Sequence, residues 1–501
     1  DDGADDFQYR LLGNARAYFK EDREKYRRSI VENVYTDPMD VFDRHLYPKG
    51  GWTLHMLRGV VGEDLFWKTI RTYAREHFAG VVTTEDLRAT FEKVTGRGLV
   101  WFFDQWYHHG GHPEFRVRQE WDEAQGAVRL EVEQVQEVDR VTPLFRMPVR
   151  LEFSGDSWSR EFRIEVSRER EEFTFPLPEP PLMTRFDAGQ FLLKKLEFQR
   201  SLTELVYQME HDSDAAGRIW AAEQMGQRAG QRQSAQGLLE ALRREPFWGV
   251  RIEIAKAMGK LHLPVSFDTL LETAGGDPDS RVRAAALAAL GKYHGDAAGA
   301  GAIRASFQSE TNEYVRAAAV KAYAESGAED AAAFLEKAVP ISSHREVIAT
   351  ATYEGMAKLK DRSFLPTLRK GAAEGNGRRR REAAIKALGK MAAGEEMEEI
   401  VDLLIDLLGD PSVFAREAAI KALGTAGSPK AVPLLQAAAL NEYDSRLRRA
   451  ARASVEKIRD SGGSGQGLAK LQERIDNLEA ETRQLREELE RDSGEIAKVQ
   501  D

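Results

Sequence analysis

There is no cysteine among the 501 residues. That excludes disulfides, iron–sulfur clusters and a thiol nucleophile, and it leaves only histidine and carboxylates to build a zinc site. It does not settle the compartment. A run of about eighteen apolar residues is also missing, so no segment is expected to cross a membrane. Positive charge is not in excess: 72 basic against 82 acidic residues give a net charge of −10. A nucleic-acid partner is therefore not expected, since such binders carry a basic stripe. His-Glu-x-x-His occurs nowhere in the chain. No serine sits in a nucleophile-elbow context, which leaves acyl transfer without support. Residue 1 is Asp within DDGADDF, which leaves room for a signal peptide removed earlier or never included, and the numbering is expected to start mid-protein.

At ~150 residues per domain the length implies about three or four domains. From Phe7 to about Trp106 the pattern reads as helical. Leu54, Leu57, Val61 and Leu65 recur every three or four residues. Gly62-Glu63-Asp64 breaks that helix and caps a second, whose Phe66, Ile70 and Tyr73 face inward. Thr83-Thr84-Glu85-Asp86 reads as an N-cap before Leu87, Phe91 and Val94, and Gly96 as the stop. After Pro113 the period falls to two. Phe115 and Val117, then Val128, Leu130 and Val132, then Val149, Leu151 and Phe153, then Phe162, Ile164 and Val166 alternate with polar residues. Short antiparallel strands with one buried face follow, making a small β-sandwich over residues 113–198.

From Ser201 the chain repeats. Anchors fall at Arg218, Arg251, Arg283, Arg316, Ile348, Arg381, Arg416 and Arg448, with steps of 33, 32, 33, 32, 33, 35 and 32 residues. Three places on come Ala221, Ile254, Ala286, Ala319, Ala351, Ala384, Ala419 and Ala451. Eight places on come Gly226, Gly259, Gly291, Ala324, Met356, Gly389, Gly424 and Glu456. Small residues at the first position let helix backbones approach, and glycine at the second is expected to end the helix. Asp277-Pro278 and Asp410-Pro411 supply the turn between paired helices. This is the grammar of stacked two-helix repeats and resembles HEAT-like repeats. Ser461 to Gly467 reads as a flexible linker. Beyond it Leu468, Leu471, Ile475, Leu478, Thr482, Leu485 and Leu489 alternate spacings of three and four, a coiled-coil pattern of about three heptads. It would pair two copies of the chain, or dock within one.

Residues 47–113 carry a more specific signal. Tyr47-x-Lys49-Gly50-Gly51 is followed by Gly62-Glu63-Asp64-x-Phe66, then Thr84-Glu85-Asp86-Leu87, then Phe103-Asp104-Gln105-Trp106 running into Gly111 and Pro113. In this order the elements resemble the second, helical half of the catalytic domain in M1-family zinc aminopeptidases, where a β-sandwich follows at the same point. The resemblance implies a multidomain, mainly α chain. Its parts are the helical half of a thermolysin-like catalytic domain (1–112), a β-sandwich (113–198), an α-solenoid of HEAT-like repeats (199–460), and a linker with a coiled coil (461–501). The family's zinc ligands, its general base and its motif for the substrate's free amine would precede Asp1.

The resemblance makes Tyr47 the candidate catalytic residue. The family's tyrosine donates to the oxyanion of the tetrahedral intermediate, beside a metal acting as Lewis acid. Packing at a helix start is the plainer role for it. Pro48 departs from the glutamate common in the family, a neutral change at a first helical turn. His108, His109 and His112 are close in sequence, and 108 and 112 have the spacing of a helical metal pair. Gly110, Gly111 and Pro113 break any helix there, so no metal site is expected. His45, His55 and His77 read as satisfied structural residues. Arg378 to Arg381 reads as a solvated helix face, and Gly299-Ala300-Gly301 is too short for a dinucleotide loop.

Two classes of function remain. One is a zinc-dependent aminopeptidase acting on peptide substrates, of which this chain would be an inactive C-terminal fragment. Its repeats would serve as a protein-binding or gating surface. The other is a noncatalytic M1-like scaffold for protein assembly.

Overall fold

The computed structural model describes residues 3–463 apart from 229 and 396. The chain divides into two compact units, Asp1–Tyr293 and His294–Asp501, so the division falls inside the repeats.

The first unit opens with α1 (Ala4–Glu24), α2 (Gly50–Val61), α3 (Glu63–Glu76), α4 (Thr84–Thr95) and α5 (Val100–Phe103). Gly62 at φ +94° separates α2 from α3. The Asp86 carboxylate accepts the Thr83 N–H at 2.7 Å and its hydroxyl at 2.8 Å, closing the start of α4, and Gly96 at φ +67° closes its end. Between α1 and α2 the expected helix gives way to an irregular segment. The Arg28 guanidinium donates there to the carbonyls of Ser29, Ile30 and Val41 at 2.6, 3.2 and 2.9 Å. Side-chain donors take the place of helical N–H groups there. Two single π-turns, His45–Lys49 and Asp104–His108, follow that segment and α5.

Seven strands make two facing sheets among the described residues: β1 (Glu114–Asp122), β2 (Ala127–Gln134), β3 (Met147–Gly155), β4 (Trp158–Val166), β5 (Arg170–Pro176), β6 (Met183–Phe186) and β7 (Lys195–Phe198). The orders are β5-β2-β1-β7 and β4-β3-β6. Contacts such as Phe115–Phe186 at 5.2 Å and Phe162–Phe175 at 4.8 Å join the inner faces. One pairing departs from the antiparallel expectation: β7 runs parallel to β1, with Glu114 opposite Lys195.

The rest of the unit is three helix pairs, α6 (Leu202–His211) with α7 (Ala215–Gly226), α8 (Arg232–Arg244) with α9 (Trp248–Leu261), and α10 (Pro264–Gly276) with α11 (Ser280–Leu290). Helix α1 is bound to them. Arg16 reaches Glu223 and Glu253 at 2.7 and 2.9 Å, and Tyr9 packs edge-on against Trp248 at 4.9 Å.

The second unit holds five further pairs among the described residues. They are α12 (Ala297–Ser309) with α13 (Glu313–Glu325), α14 (Ala331–Ala338) with α15 (Val347–Leu359), α16 (Leu365–Ala372) with α17 (Arg378–Ala392), α18 (Glu398–Asp406) with α19 (Val413–Ala426), and α20 (Val432–Asn441) with α21 (Ser445–Gly463). Every anchor lies near the start of a pair's second helix. The anchor arginines donate to carbonyls of the preceding turn: Arg218 to Asp212, Arg283 to Asp277, Arg416 to Asp410 and Arg448 to Glu442, at 2.8–3.0 Å. All residues at the third position are buried. Gly226 is the last residue of α7 and Gly291 caps α11, as expected, whereas Gly259, Gly389 and Gly424 lie inside their helices. A Cβ on Gly226, Gly259, Gly389 or Gly424 would meet Ala257, Ala289, Ala422 or Ser454 of the next repeat at 2.6–2.7 Å. Glycine here sets the distance between neighbouring second helices. Helix α21 runs to Gly463, so the first three residues of the expected linker are helical. The rest of the linker and the coiled-coil pattern lie outside the described residues.

Candidate functional site

Tyr47 stands on the π-turn His45–Lys49, where the Lys49 N–H reaches the Arg44 carbonyl at 3.1 Å. A π-turn is a local insertion often found at functional positions. Pro48 fits it without loss, since proline has no N–H to place. The turn splits its side chains sharply. Tyr47 is 63% exposed, while His45 and Lys49, two residues to either side, are both 0% exposed.

Beneath Tyr47 lies a buried network of charge. His45 sits between two carboxylates, Nε2 at 3.5 Å from Asp22 and Nδ1 at 3.4 Å from Asp43. Burial works against a charge on His45, yet the two carboxylates outweigh it and raise its pKa. Burial would likewise raise Asp22 and Asp43. The facing His45 ring, and hydrogen bonds from Arg27 and Arg28 respectively, hold both well below the usual carboxylate range. Asp43 also accepts the backbone N–H groups of His45 and Leu46 at 2.9 and 3.0 Å, so it fixes the entry to the π-turn. Lys49 enters the same region, donating to the His109 carbonyl at 3.2 Å with the Tyr18 ring 5.8 Å away. Burial, then the charges of Arg27 and Arg28, pull its pKa down to about 7 against the opposing pull of Asp22.

The other motif elements act as fasteners. Gln105 pairs in both directions with the backbone of Arg146, at 2.6 and 2.9 Å, and the fully buried Trp106 packs on Phe145 at 4.8 Å. The helical half is thereby pinned to the sandwich.

The three clustered histidines do not converge. The π-turn ends at His108, which faces Glu85 at 3.6 Å, and the His109 ring meets the Asp104 carbonyl at 3.0 Å. His112 is buried between the Tyr18 hydroxyl at 3.3 Å and Glu114 at 3.5 Å. His55 corrects the expectation of a satisfied residue. It stacks on Phe191 at 4.8 Å with no hydrogen-bond partner for Nδ1, and burial, helped by Arg58, lowers its pKa to about 4. Arg378 to Arg381 is likewise not a simple solvated face. Arg378 pairs with Glu382 at 2.7 Å, Arg380 with Glu346 at 2.9 Å, and the buried Arg381 with Asp410.

Zinc does not fit the residues present. Among the described residues one group could bring three ligand atoms together: Glu21, Asp43 and His45. Each is already engaged. Glu21 takes Lys25 at 2.8 Å and the Arg44 N–H at 3.0 Å, Asp43 takes Arg28 at 2.6 Å, and His45 faces Asp22. Zinc would have to displace cations already in place.

Residues 4–106 match the Peptidase family M1 domain, and residues 202–291, 301–389 and 381–456 match HEAT repeats. The chain joins an M1 peptidase region to HEAT repeats. The M1 region is similar to aminopeptidase N of Caulobacter vibrioides, 28% identical over 110 residues, which is 22% of this chain and 13% of that protein. Aminopeptidase N of Escherichia coli is 22% identical over 227 residues, 41% of this chain and 25% of the relative. Aminopeptidase 2 of Candida albicans is 32% identical over 79 residues, 16% and 8% of the two chains. The matches thus span a quarter or less of these relatives' length. Among solved structures, Legionella pneumophila aminopeptidase A in complex with aspartic acid shares the fold, with a TM-score of 0.64 and 15% identity over 90% of this chain and 63% of that one.

The network under Tyr47 escaped the sequence reading, except that His45, Tyr47 and Lys49 alternate around the M1 motif. Asp22, Arg27 and Arg28 lie outside any motif and gave no signal.

Proposed function

We propose that this chain is the C-terminal part of an M1-type aminopeptidase that removes N-terminal residues from peptides, with Tyr47 as a catalytic residue and the HEAT repeats as an interaction or gating surface. The observation that carries the reading is the π-turn. A tyrosine hydroxyl is held out to solvent beside the fully buried His45 and Lys49, the first set between two carboxylates and the second bonded to the His109 carbonyl. Such a donor is preorganised to accept developing charge on a substrate oxygen without reorganising. The family's zinc and its ligands belong, on this reading, upstream of Asp1, and the 501 residues alone are catalytically silent. Detectable zinc-dependent hydrolysis of aminoacyl-arylamides by the purified chain would overturn that last point.

Tyr47→Phe in the complete protein tests the main claim. It should lower kcat by about 100-fold and leave KM near its starting value, because the hydroxyl acts on the transition state more than on the ground state. An unchanged kcat would reduce Tyr47 to a packing residue. The alternative is a noncatalytic M1-like scaffold whose HEAT repeats serve protein assembly. The residues encoded before Asp1, searched for His-Glu-x-x-His, separate the two readings.

A further inference from the structure

Of the four consecutive arginines at the start of α17, three are consumed by the fold and one is not. Arg379 points into a groove of about 220 Å³ between α15 and α17, lined also by Arg345, Thr350, Glu354, Lys386 and Lys390. No ion pair to Arg345, Arg379, Lys386 or Lys390 is present among the described residues. The groove's two carboxylates are taken elsewhere, Glu354 by Lys321 at 2.5 Å and Glu382 by Arg378 at 2.7 Å. In a chain of net charge −10, four unpartnered cations on one groove form a local positive field.

The groove's rim is also strained. Arg345 and Glu346 are consecutive non-glycine residues in the left-handed region, at φ 56° and 58°. This is the one repeat whose anchor is Ile348 rather than an arginine, so the carbonyl-capping guanidinium of the other turns is missing here. Glu346 is fastened to Arg380 at 2.9 Å, which keeps the strained pair in place and leaves Arg345 on the groove. Backbone strain of this kind persists where the surroundings over-determine it and concentrates at binding sites.

We propose that the groove between α15 and α17 is a docking surface for an acidic, extended polypeptide segment of a partner protein. The proposal rests on the reading of the repeats as an interaction surface and is independent of the peptidase reading. The spacing fits a peptide. Lys386 and Lys390, four helical residues apart, are separated by about 6 Å along the helix axis, and carboxylates two residues apart on an extended strand are about 6.6 Å apart. A segment with glutamate or aspartate at every second position would meet successive cations.

The test is fluorescence anisotropy of a labelled peptide alternating glutamate and serine, titrated with the full chain at low and at raised ionic strength. Binding should be detectable at low salt and weaken as salt screens it. The variant Arg379→Ser/Lys386→Ser/Lys390→Ser should weaken binding by about tenfold or more. The variant Lys337→Ser/Lys370→Ser/Arg459→Ser, with the same charge change at exposed sites away from the groove, should leave it within about twofold. As a second arm, Lys386→Glu/Lys390→Glu should transfer binding to a peptide alternating lysine and serine. Circular dichroism confirms that each variant is folded. No binding at low salt overturns the proposal, as does equal weakening by both triple variants. So does tighter binding of a thymidine oligonucleotide of equal charge through the same three cations. If the peptide binds equally well to both triple variants and to the unaltered chain, it binds outside the groove and the proposal is overturned.

Discussion

His45 and Lys49 flank Tyr47 and are buried in one network, yet they respond to pH in opposite senses. The raised pKa of His45 means the folded state holds its proton more tightly than the unfolded chain. Its stabilisation is full below the unfolded value of about 6.5 and is lost as pH rises through the folded value. Lys49 is depressed to about 7. Between there and the unfolded value of about 10.4 the unfolded chain binds more protons, so the Lys49 contribution to stability rises with pH across that window. His45→Leu should cost about 3–5 kcal/mol near pH 6, because Asp22 and Asp43 lose the cation between them. Lys49→Met should stabilise by ~1–3 kcal/mol at the same pH and flatten the rise in stability between neutral and alkaline pH. Urea unfolding curves across the pH range check both, and a parallel response of the two variants would show that the groups do not titrate as assigned.

Two glycines in helices of the second unit separate two roles that look alike in sequence. A Cβ on Gly389 would lie 2.7 Å from the backbone and Cβ of Ala422, and neither atom can move away as a flexible side chain would. Gly389→Ala should therefore destabilise by about 1–3 kcal/mol through overpacking. Gly301, inside α12, has nothing within 4 Å of its would-be Cβ. Gly301→Ala should stabilise by about 0.5–1 kcal/mol, from the helix propensity gained and the unfolded-state freedom removed. Thermal melts of the two variants should move in opposite directions. The spacing of eight from each anchor was visible in the sequence, but its purpose was not. A glycine near a helix end reads as a stop, and only the neighbouring helix shows that it is a point of close contact.

At the scale of the whole molecule, the two compact units each bury their own core. Heating should accordingly give two resolvable transitions in calorimetry, one moved by Lys49→Met and the other by Gly389→Ala. A single transition shifted by both variants would show that the units unfold together. The heptad pattern beyond residue 467 predicts pairing of chains. Removing residues 461–501 should then halve the mass measured by sedimentation equilibrium, whereas loss of only the deleted residues' mass would refute pairing through that segment.

The sequence by itself determined the order of parts: helices to about Trp106, alternating strands to Phe198, and paired helices beyond Ser201. It could do so because periodicity and capping are local, as the Thr83–Asp86 cap and the Gly62 and Gly96 breaks illustrate. The M1 motif also marked Tyr47 as the residue to watch. Tertiary structure alone decided what lies beneath it. Asp22 comes from α1, and its meeting with His45 before α2 and with His112 beyond α5 depends on helix packing that no spacing encodes. The same holds for Arg379. Of the four arginines in a row the repeat marks only Arg381, and the positions of Glu382, Glu346 and Asp410 in the folded chain decide which one is left without an ion pair. Charges find their partners across space, through a Coulomb term that depends on distance and burial rather than on position along the chain.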